Sequence, residues 1–163
     1  MKPNIWKNLV LLTQLLVLST GIALAQDKSA DLAIVVNSAS SLDNVSSAEL
    51  AKIFKAEKAK TPDGVKFVIA LRETGSPERN ASLKAIYQMT DADCEKFFLQ
   101  AVFAGTTQAA PKQLPSAAAV RQFVAAEKGA ISYLCATDAD ASVKVLKVDG
   151  KSPGDPGYPV KMK

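Results

Sequence analysis

The sequence of 163 residues contains no histidine, two cysteines and few aromatic side chains. Without histidine, the chain lacks the side chain that most often acts as a general base near neutral pH and most often binds transition metals. The Gly-x-Ser-x-Gly pattern and the phosphate-binding loop of nucleotide hydrolases are also missing from the sequence. Three acidic residues, Asp91, Asp93 and Glu95, lie close together, but helix capping explains the first two without a metal. We therefore expect no enzymatic activity and no cofactor.

The charges of the chain are dispersed along its length. There are 20 basic and 16 acidic side chains, and no run of basic residues is combined with aromatic ones. A protein that binds nucleic acid usually shows such a basic patch. We therefore expect no nucleic-acid partner.

The N-terminal residues have the pattern of a leader. Two lysines are followed by the apolar stretch Leu9–Leu24, and Ala23–Ala25 matches a signal-peptide cleavage site. We predict that residues 1–25 are a cleaved signal peptide and that residues 26–163 form a single domain. A retained membrane anchor is the alternative, and the shortness of the apolar stretch argues against it. Since no later stretch is comparably apolar, we expect a periplasmic protein without stable membrane insertion after cleavage.

The two cysteines, Cys94 and Cys135, are far apart in the sequence. Export would permit a disulfide between them, provided that the fold brings them within bonding distance. Two separate thiols that pack as small apolar groups are the alternative. The sequence leaves both possibilities open.

The stretch Val65–Arg79 predicts a buried strand, a tight turn and the start of a helix. Its first half is apolar and rich in β-branched residues, as in a strand that is covered on both faces. Gly75 suits the turn, Ser76 is a good helix N-cap, and Pro77 fits the first helical position. Arg72 ends the strand close to the helix N-terminus, where free N–H groups and the helix dipole favour an anion. The alternative is a capped turn that binds nothing, with Arg72 a surface residue paired with Glu73, Glu78 or Asp63.

Short apolar strands and capped helices alternate along the rest of the chain. This alternation predicts an α/β fold with three layers, in which a mostly parallel sheet is flanked by helices. Further strands are predicted at Asp31–Asn37, Ala130–Leu134 and Val143–Val148, helices at Ser47–Lys55, from Ser76 to about Met89, after Thr90 and from Ser116 to Gly129, and a loop at Gly105–Pro115.

Several segments also match, in order, the motifs of one known family. Ser46–Phe54 (SSAELAKIF) resembles its Ser-x-x-x-Leu-x-x-Ile-Phe helix, and Phe67–Ser76 (FVIALRETGS) its strand before an arginine and a Gly-Ser turn. Gly129–Leu134 (GAISYL) is similar to its Gly-Ala-Ile-Gly-Tyr strand. Val145–Gly150 (VLKVDG) and Gly157–Val160 (GYPV) resemble its closing strand and Tyr-Pro tail. The family is the phosphate-type substrate-binding proteins of bacterial ABC importers, in their short form.

The resemblance implies the lobe of a periplasmic binding protein with a phosphate site. In that family an arginine and a Ser-Gly-Thr turn at a helix N-terminus hold the phosphate oxygens. By position, Arg72 matches the arginine and Ser76 the serine. The backbone N–H groups of Thr74, Gly75 and Ser76 would add hydrogen bonds, and Arg79 a second positive charge.

The sequence departs from the family at the two positions after this serine. Pro77 replaces the glycine and removes an N–H donor. Glu78 replaces the threonine and brings a carboxylate to the place where an anion would lie, where it also satisfies the helix dipole.

Two functions are compatible with these motifs. The first is an exported solute-binding protein for phosphate or a similar small oxyanion, which would work with an ABC permease or another envelope protein. The second is an interaction, accessory or sensory protein of the cell envelope that has the same fold and binds no ligand. Its candidate partner surfaces are the polar loops Asn37–Val45 and Gly105–Pro115, because binding loops are often displayed on rigid α/β scaffolds. Plain connecting loops are the alternative for both segments.

Overall fold

A computed structural model describes residues 31–107 and 109–162. The predicted signal peptide, residues 1–25, lies outside these residues, so its cleavage and the domain boundary at residue 26 stay predictions. The strands are β1 (Leu32–Val36), β2 (Asn44–Val45), β3 (Val68–Arg72), β4 (Lys112–Leu114), β5 (Ala130–Cys135), β6 (Lys144–Val145) and β7 (Lys147–Val148). The α-helices are α1 (Ser47–Phe54), α2 (Pro77–Ser82), α3 (Asp91–Phe103) and α4 (Ala117–Ala126); a π-helical turn, Leu83–Tyr87, continues α2, and a 3-10 turn, Ala136–Asp138, follows β5.

The main sheet has five strands in the order β4-β3-β5-β1-β6. Strand β3 is parallel to both β4 and β5, whereas β1 is antiparallel to both of its neighbours, β5 and β6. Four of the five strands therefore run in one direction. Strands β2 and β7 form a separate parallel pair. The predicted α/β class with a mostly parallel sheet is confirmed.

Helices cover both faces of the sheet and produce three layers. Along β1, Leu32, Ile34 and Val36 face the larger core, which helices α1, α2 and α3 also line. The alternate residues of β1, Ala33 and Val35, face a smaller core against α4. All five residues of β1 are at most 1% exposed. This burial on both faces explains why the strand is apolar throughout rather than alternating.

Each α-helix begins at a residue that the sequence marks as a cap. In all four cases a hydroxyl side chain at the N-cap accepts a hydrogen bond from the backbone N–H three residues later, which satisfies one of the free donors of the first turn. The four N-caps are Ser46, Ser76, Thr90 and Ser116.

Two segments differ from their predicted structure. The predicted strand Val143–Val148 is divided, because β6 pairs with β1 in the main sheet and β7 pairs with β2 in the small one. Leu146, between them, is fully buried. The predicted loop Gly105–Pro115 contains the edge strand β4, whose first two side chains are exposed and polar. An edge strand buries little, so it carries no apolar pattern that the sequence would reveal.

Helix α3 presents apolar side chains on both sides. Cys94 and Phe98 are buried, whereas Leu99 and Phe103 are 58% and 83% exposed.

Among the helices of the described residues, none combines the length and apolarity needed to cross a bilayer.

The start of β5 lies against the backbone that leads into β3. The carbonyl oxygen of Gly129 accepts a hydrogen bond of 2.8 Å from the Val68 N–H. A Cβ atom at residue 129 would lie far inside van der Waals contact with the carbonyl oxygen of Lys66. Because backbone, and not a flexible side chain, occupies this space, only glycine fits without a shift.

We expect Gly129→Ala to lower the free energy of unfolding by about 2 kcal/mol, within the range for overpacked sites. Urea denaturation of the variant and the parent protein measures this difference. The control is Lys128→Ala at the exposed neighbouring residue, for which we expect a change below about 0.5 kcal/mol. Equal stabilities for the two variants would contradict the close approach.

Candidate functional site

The candidate site lies where β3 ends. Arg72 is the last residue of β3 and pairs with Leu114, the last residue of β4. Ligands of open α/β sheets usually bind beyond the carboxyl ends of the strands. The chain then turns through Glu73, and the Ser76 N–H donates to the Glu73 carbonyl at 3.3 Å. Gly75 has φ +85°, the positive value that the third residue of a type II turn adopts.

The Arg72 side chain is buried and incompletely bonded. It is 8% exposed, and its Nη1 donates a hydrogen bond of 3.1 Å to the Leu114 carbonyl. Its Nε is 3.7 Å from Oε2 of Glu78 and has no hydrogen-bond acceptor among the described residues. A buried charged donor without an acceptor is costly, so this nitrogen is a candidate contact for a ligand oxygen.

The turn beside Arg72 offers further donors. Thr74 and Gly75 are exposed, and within residues 31–107 and 109–162 their N–H groups form no hydrogen bond. The Ser76 hydroxyl is already used, since it donates to the Glu73 carbonyl at 2.9 Å and accepts from the Arg79 N–H at 3.2 Å. An anion at this turn could therefore bind the free N–H groups of Thr74 and Gly75 directly. To bind the Ser76 hydroxyl, it would have to replace the hydrogen bond that this hydroxyl donates to the Glu73 carbonyl.

Arg79 does not join Arg72 at the turn, although the sequence predicts a second charge there. Arg79 is 1% exposed, and its Nε and Nη2 contact Oδ1 of Asp91 at 2.8 and 2.7 Å. Burial alone would lower the pKa of the guanidinium, but the contacts with Asp91 and with nearby Tyr133 raise it overall. The group is therefore charged and is directed at the start of α3. Of the five predicted ligand residues, the structure gathers Arg72, Thr74, Gly75 and Ser76 around one turn, and turns the side chain of Arg79 inward.

Tyr133, on the neighbouring strand β5, contacts the backbone at the end of β3. Its hydroxyl accepts a hydrogen bond of 3.4 Å from the Arg72 N–H. Burial raises the pKa of Tyr133, and the nearby Ser82 and Arg79 side chains oppose this effect. A neutral phenol on β5 therefore contacts the backbone at the end of β3, where the candidate site lies.

The two arginines have acidic partners, Glu78 and Asp91, and sequence reasoning missed the second. Asp91 was expected to take part in helix capping, but Thr90 caps α3 through the Asp93 N–H and leaves Asp91 to pair with Arg79. Glu78 was expected near the anion position and, in the alternative without a ligand, as one of three possible partners of a surface Arg72; it does pair with Arg72, but both side chains are largely buried. The only available signal was the balance of two arginines and two glutamates between residues 72 and 79.

The two cysteines do not form a disulfide. Cys94 is buried in α3, and its thiol pKa is raised by burial. Cys135 ends β5 and is half-buried, with its Sγ 3.1 Å from Oγ1 of Thr137. Among the described residues, no group of three or more histidine, cysteine and acidic side chains is arranged to hold a metal ion.

The three layers and the mostly parallel sheet match the fold of a periplasmic binding protein lobe, as a comparison with solved structures shows. A comparison with solved structures finds a phosphate transport receptor of the ABC type from Vibrio cholerae, with TM-score 0.61 and 19% identity over 76% of this chain. A protein from Clostridium perfringens, solved with bound phosphate, gives 0.60 and 16% over 76%. PstS from Borrelia burgdorferi gives 0.60 and 16% over 81%. No protein-family model and no curated protein matches the chain.

These similarities are confined to the fold and to part of the larger proteins. The aligned regions make up 48%, 47% and 54% of the three solved chains, so this chain spans about half their length. The predicted likeness to a periplasmic binding protein lobe is confirmed as a fold. The ligand and partners of this chain are matters for proposal.

Proposed function

We propose that the protein is an exported solute-binding protein that binds phosphate or a similar small oxyanion at Arg72 and the turn Thr74–Ser76. The observation that carries the proposal is the buried Arg72 guanidinium, whose Nε has no hydrogen-bond acceptor among the described residues. It lies at the carboxyl end of β3, in a fold shared with a protein that was solved with bound phosphate.

The chemistry of the site favours an anion with several acceptor oxygens. Arg72 provides a charged donor, and the free N–H groups of Thr74 and Gly75 add neutral donors beside it. Hydrogen bonds from a charged donor are about twice as strong as those between neutral groups. Since the turn residues are exposed, solvent and salt screen the interaction, and we expect binding to weaken with ionic strength.

We expect isothermal titration of the protein with inorganic phosphate to show binding, and Arg72→Gln to weaken it at least tenfold. The loss of one charged hydrogen bond, about 1.5–3 kcal/mol, corresponds to such a factor. The matched control is Lys84→Gln, which removes an exposed charge at the far end of the same helical segment and should leave the affinity within about twofold.

A second variant tests the same proposal without changing the buried Arg72 side chain, so that a loss of binding cannot come from unfolding at residue 72. Thr74→Pro removes one N–H donor at a turn position that proline favours, so the fold should tolerate it while phosphate binding weakens. Absence of heat and of a thermal shift with phosphate and with sulfate, for the folded parent protein, would contradict the proposal.

For the partner, we propose an ABC permease or another envelope protein, with the protein itself in the periplasm. The support is the fold shared with a transport receptor of the ABC type.

A second candidate function, an interaction protein without a ligand, is favoured by the exposed Leu99 and Phe103 on α3. The phosphate titration separates the two functions, because the second predicts no binding.

A further inference from the structure

Glu78 is buried at the candidate site and faces its arginine. It is the second residue of α2 and is 9% exposed, which is unusual for a carboxylate that has no strong partner. Its Oε2 is 3.7 Å from Nε of Arg72, and the two side chains are 12% and 10% exposed. The pair is therefore largely shielded from water.

The geometry of this pair leaves the Arg72 guanidinium incompletely satisfied. A separation of 3.7 Å is an ionic contact and too long for a hydrogen bond. Nε of Arg72 has no other acceptor in the described part of the chain. In such an ion pair the two opposite charges balance each other. The buried guanidinium nevertheless lacks the hydrogen bond that its Nε would form with water in the unfolded chain.

We propose that Glu78 is a built-in counter-ion that occupies the position of an external oxyanion beside Arg72, so that an oxyanion binds only by displacing this carboxylate. The inference rests on the proposed function, since it concerns the same site. An oxyanion oxygen within 3 Å of Nε would form the hydrogen bond that Glu78 does not form. Like charges repel at short range, so the carboxylate and the oxyanion cannot both remain beside Arg72 without a large cost.

Displacement of Glu78 makes the apparent affinity weaker than the intrinsic one. The binding-competent protein is the fraction in which the carboxylate has left Arg72, and the apparent dissociation constant increases in inverse proportion to that fraction. Glu78 thus sets the threshold concentration at which the site fills. A neutral side chain of the same shape at this position should remove the threshold.

The test is isothermal titration of inorganic phosphate into the parent protein, Glu78→Gln and Glu78→Ala at constant pH and low salt. We expect both variants to bind phosphate at least tenfold more tightly than the parent protein. The matched control is Glu73→Gln, which removes an exposed carboxylate from the same turn and should change the affinity less than threefold. Circular dichroism verifies that each variant is folded. Because there are two variants at residue 78, the test can still be made if one of them does not fold.

The outcomes separate this inference from the proposed function. If the parent protein binds phosphate and neither residue-78 variant binds more tightly, the counter-ion role is overturned and the proposed function stands. If only the variants bind, the counter-ion role is supported and phosphate binding by the parent protein is rejected. If none of the folded proteins binds phosphate, both proposals fail. If Glu73→Gln increased the affinity for phosphate as much as Glu78→Gln, the cause would be the change in net charge near the site, and the inference would be overturned.

Discussion

Replacing Asp91 by alanine is expected to lower the free energy of unfolding by about 3 kcal/mol, because it leaves the Arg79 guanidinium buried without its partner. The side chain of Arg79 is 2% exposed and that of Asp91 is 26% exposed. This partial exposure of Asp91 places the expected cost at the lower end of the range of about 3–5 kcal/mol for broken buried pairs. Urea denaturation at neutral pH measures the effect. Both proteins are fitted with the same dependence of the unfolding free energy on urea concentration.

Two further variants isolate the ion pair from the helix end. Asp93→Ala removes an exposed carboxylate from the same first turn of α3, and it should cost no more than about 1 kcal/mol through the helix dipole and cap. In Arg79→Met combined with Asp91→Ala, both charges are absent, and part of the lost stability should return. Equal effects of Asp91→Ala and Asp93→Ala would show that Arg79 does not depend on Asp91.

The second large effect is a loss of stability at alkaline pH. All three tyrosines of the chain, Tyr87, Tyr133 and Tyr158, are at most 2% exposed, and burial raises the pKa of each one. Below the unfolded pKa of about 10, the phenols are protonated in both states, and their contribution is fully present. Above it, only the unfolded chain releases the protons, so the folded state loses about 1.4 kcal/mol per pH unit for each tyrosine. Together they give a slope of about 4 kcal/mol per pH unit.

Phenolate absorbance and circular dichroism in a common pH titration check this expectation. The absorbance should increase in one cooperative step together with unfolding, rather than near pH 10 in the folded protein. Tyr87→Phe is the sharpest control, because the Tyr87 hydroxyl has no hydrogen-bond partner among the described residues. The substitution therefore removes one titrating group without breaking a hydrogen bond, and the slope should fall by about 1.4 kcal/mol per pH unit. Gradual ionisation near pH 10 without loss of structure would contradict the burial of these phenols.

The parts of the fold that the sequence predicts well are those encoded locally. A serine or threonine before a helix forms its cap from residues only three positions away, and all four α-helices start as predicted. The buried strand β1 was predicted because both of its faces are apolar. Gly75 was correctly placed in a turn because a positive φ favours glycine. Each of these features depends on the residues of one short segment.

The parts that the sequence missed depend on contacts between distant segments. The three residues of β4 pair with β3, but nothing in their own composition indicates a strand. Arg72 and Arg79 are similar in the sequence, and only the tertiary structure gives one to Glu78 and the other to Asp91. The identity of a buried ion pair depends on which helix packs against which strand. Local patterns therefore located the candidate site, but they did not show which of its charges are already neutralised.

The place of β1 in the sheet determines when the chain can fold. It is the first strand of the described residues, yet its two neighbours are formed by residues 130–135 and 144–145. Asp31, just before β1, is fully buried and pairs with Lys161, 130 residues further along the chain. Contacts over such separations form slowly, and the pair of Asp31 with Lys161 cannot form until residue 161 has left the ribosome. Since we propose that the protein is exported, late closure of the sheet would favour transfer of the new chain across a membrane before it folds.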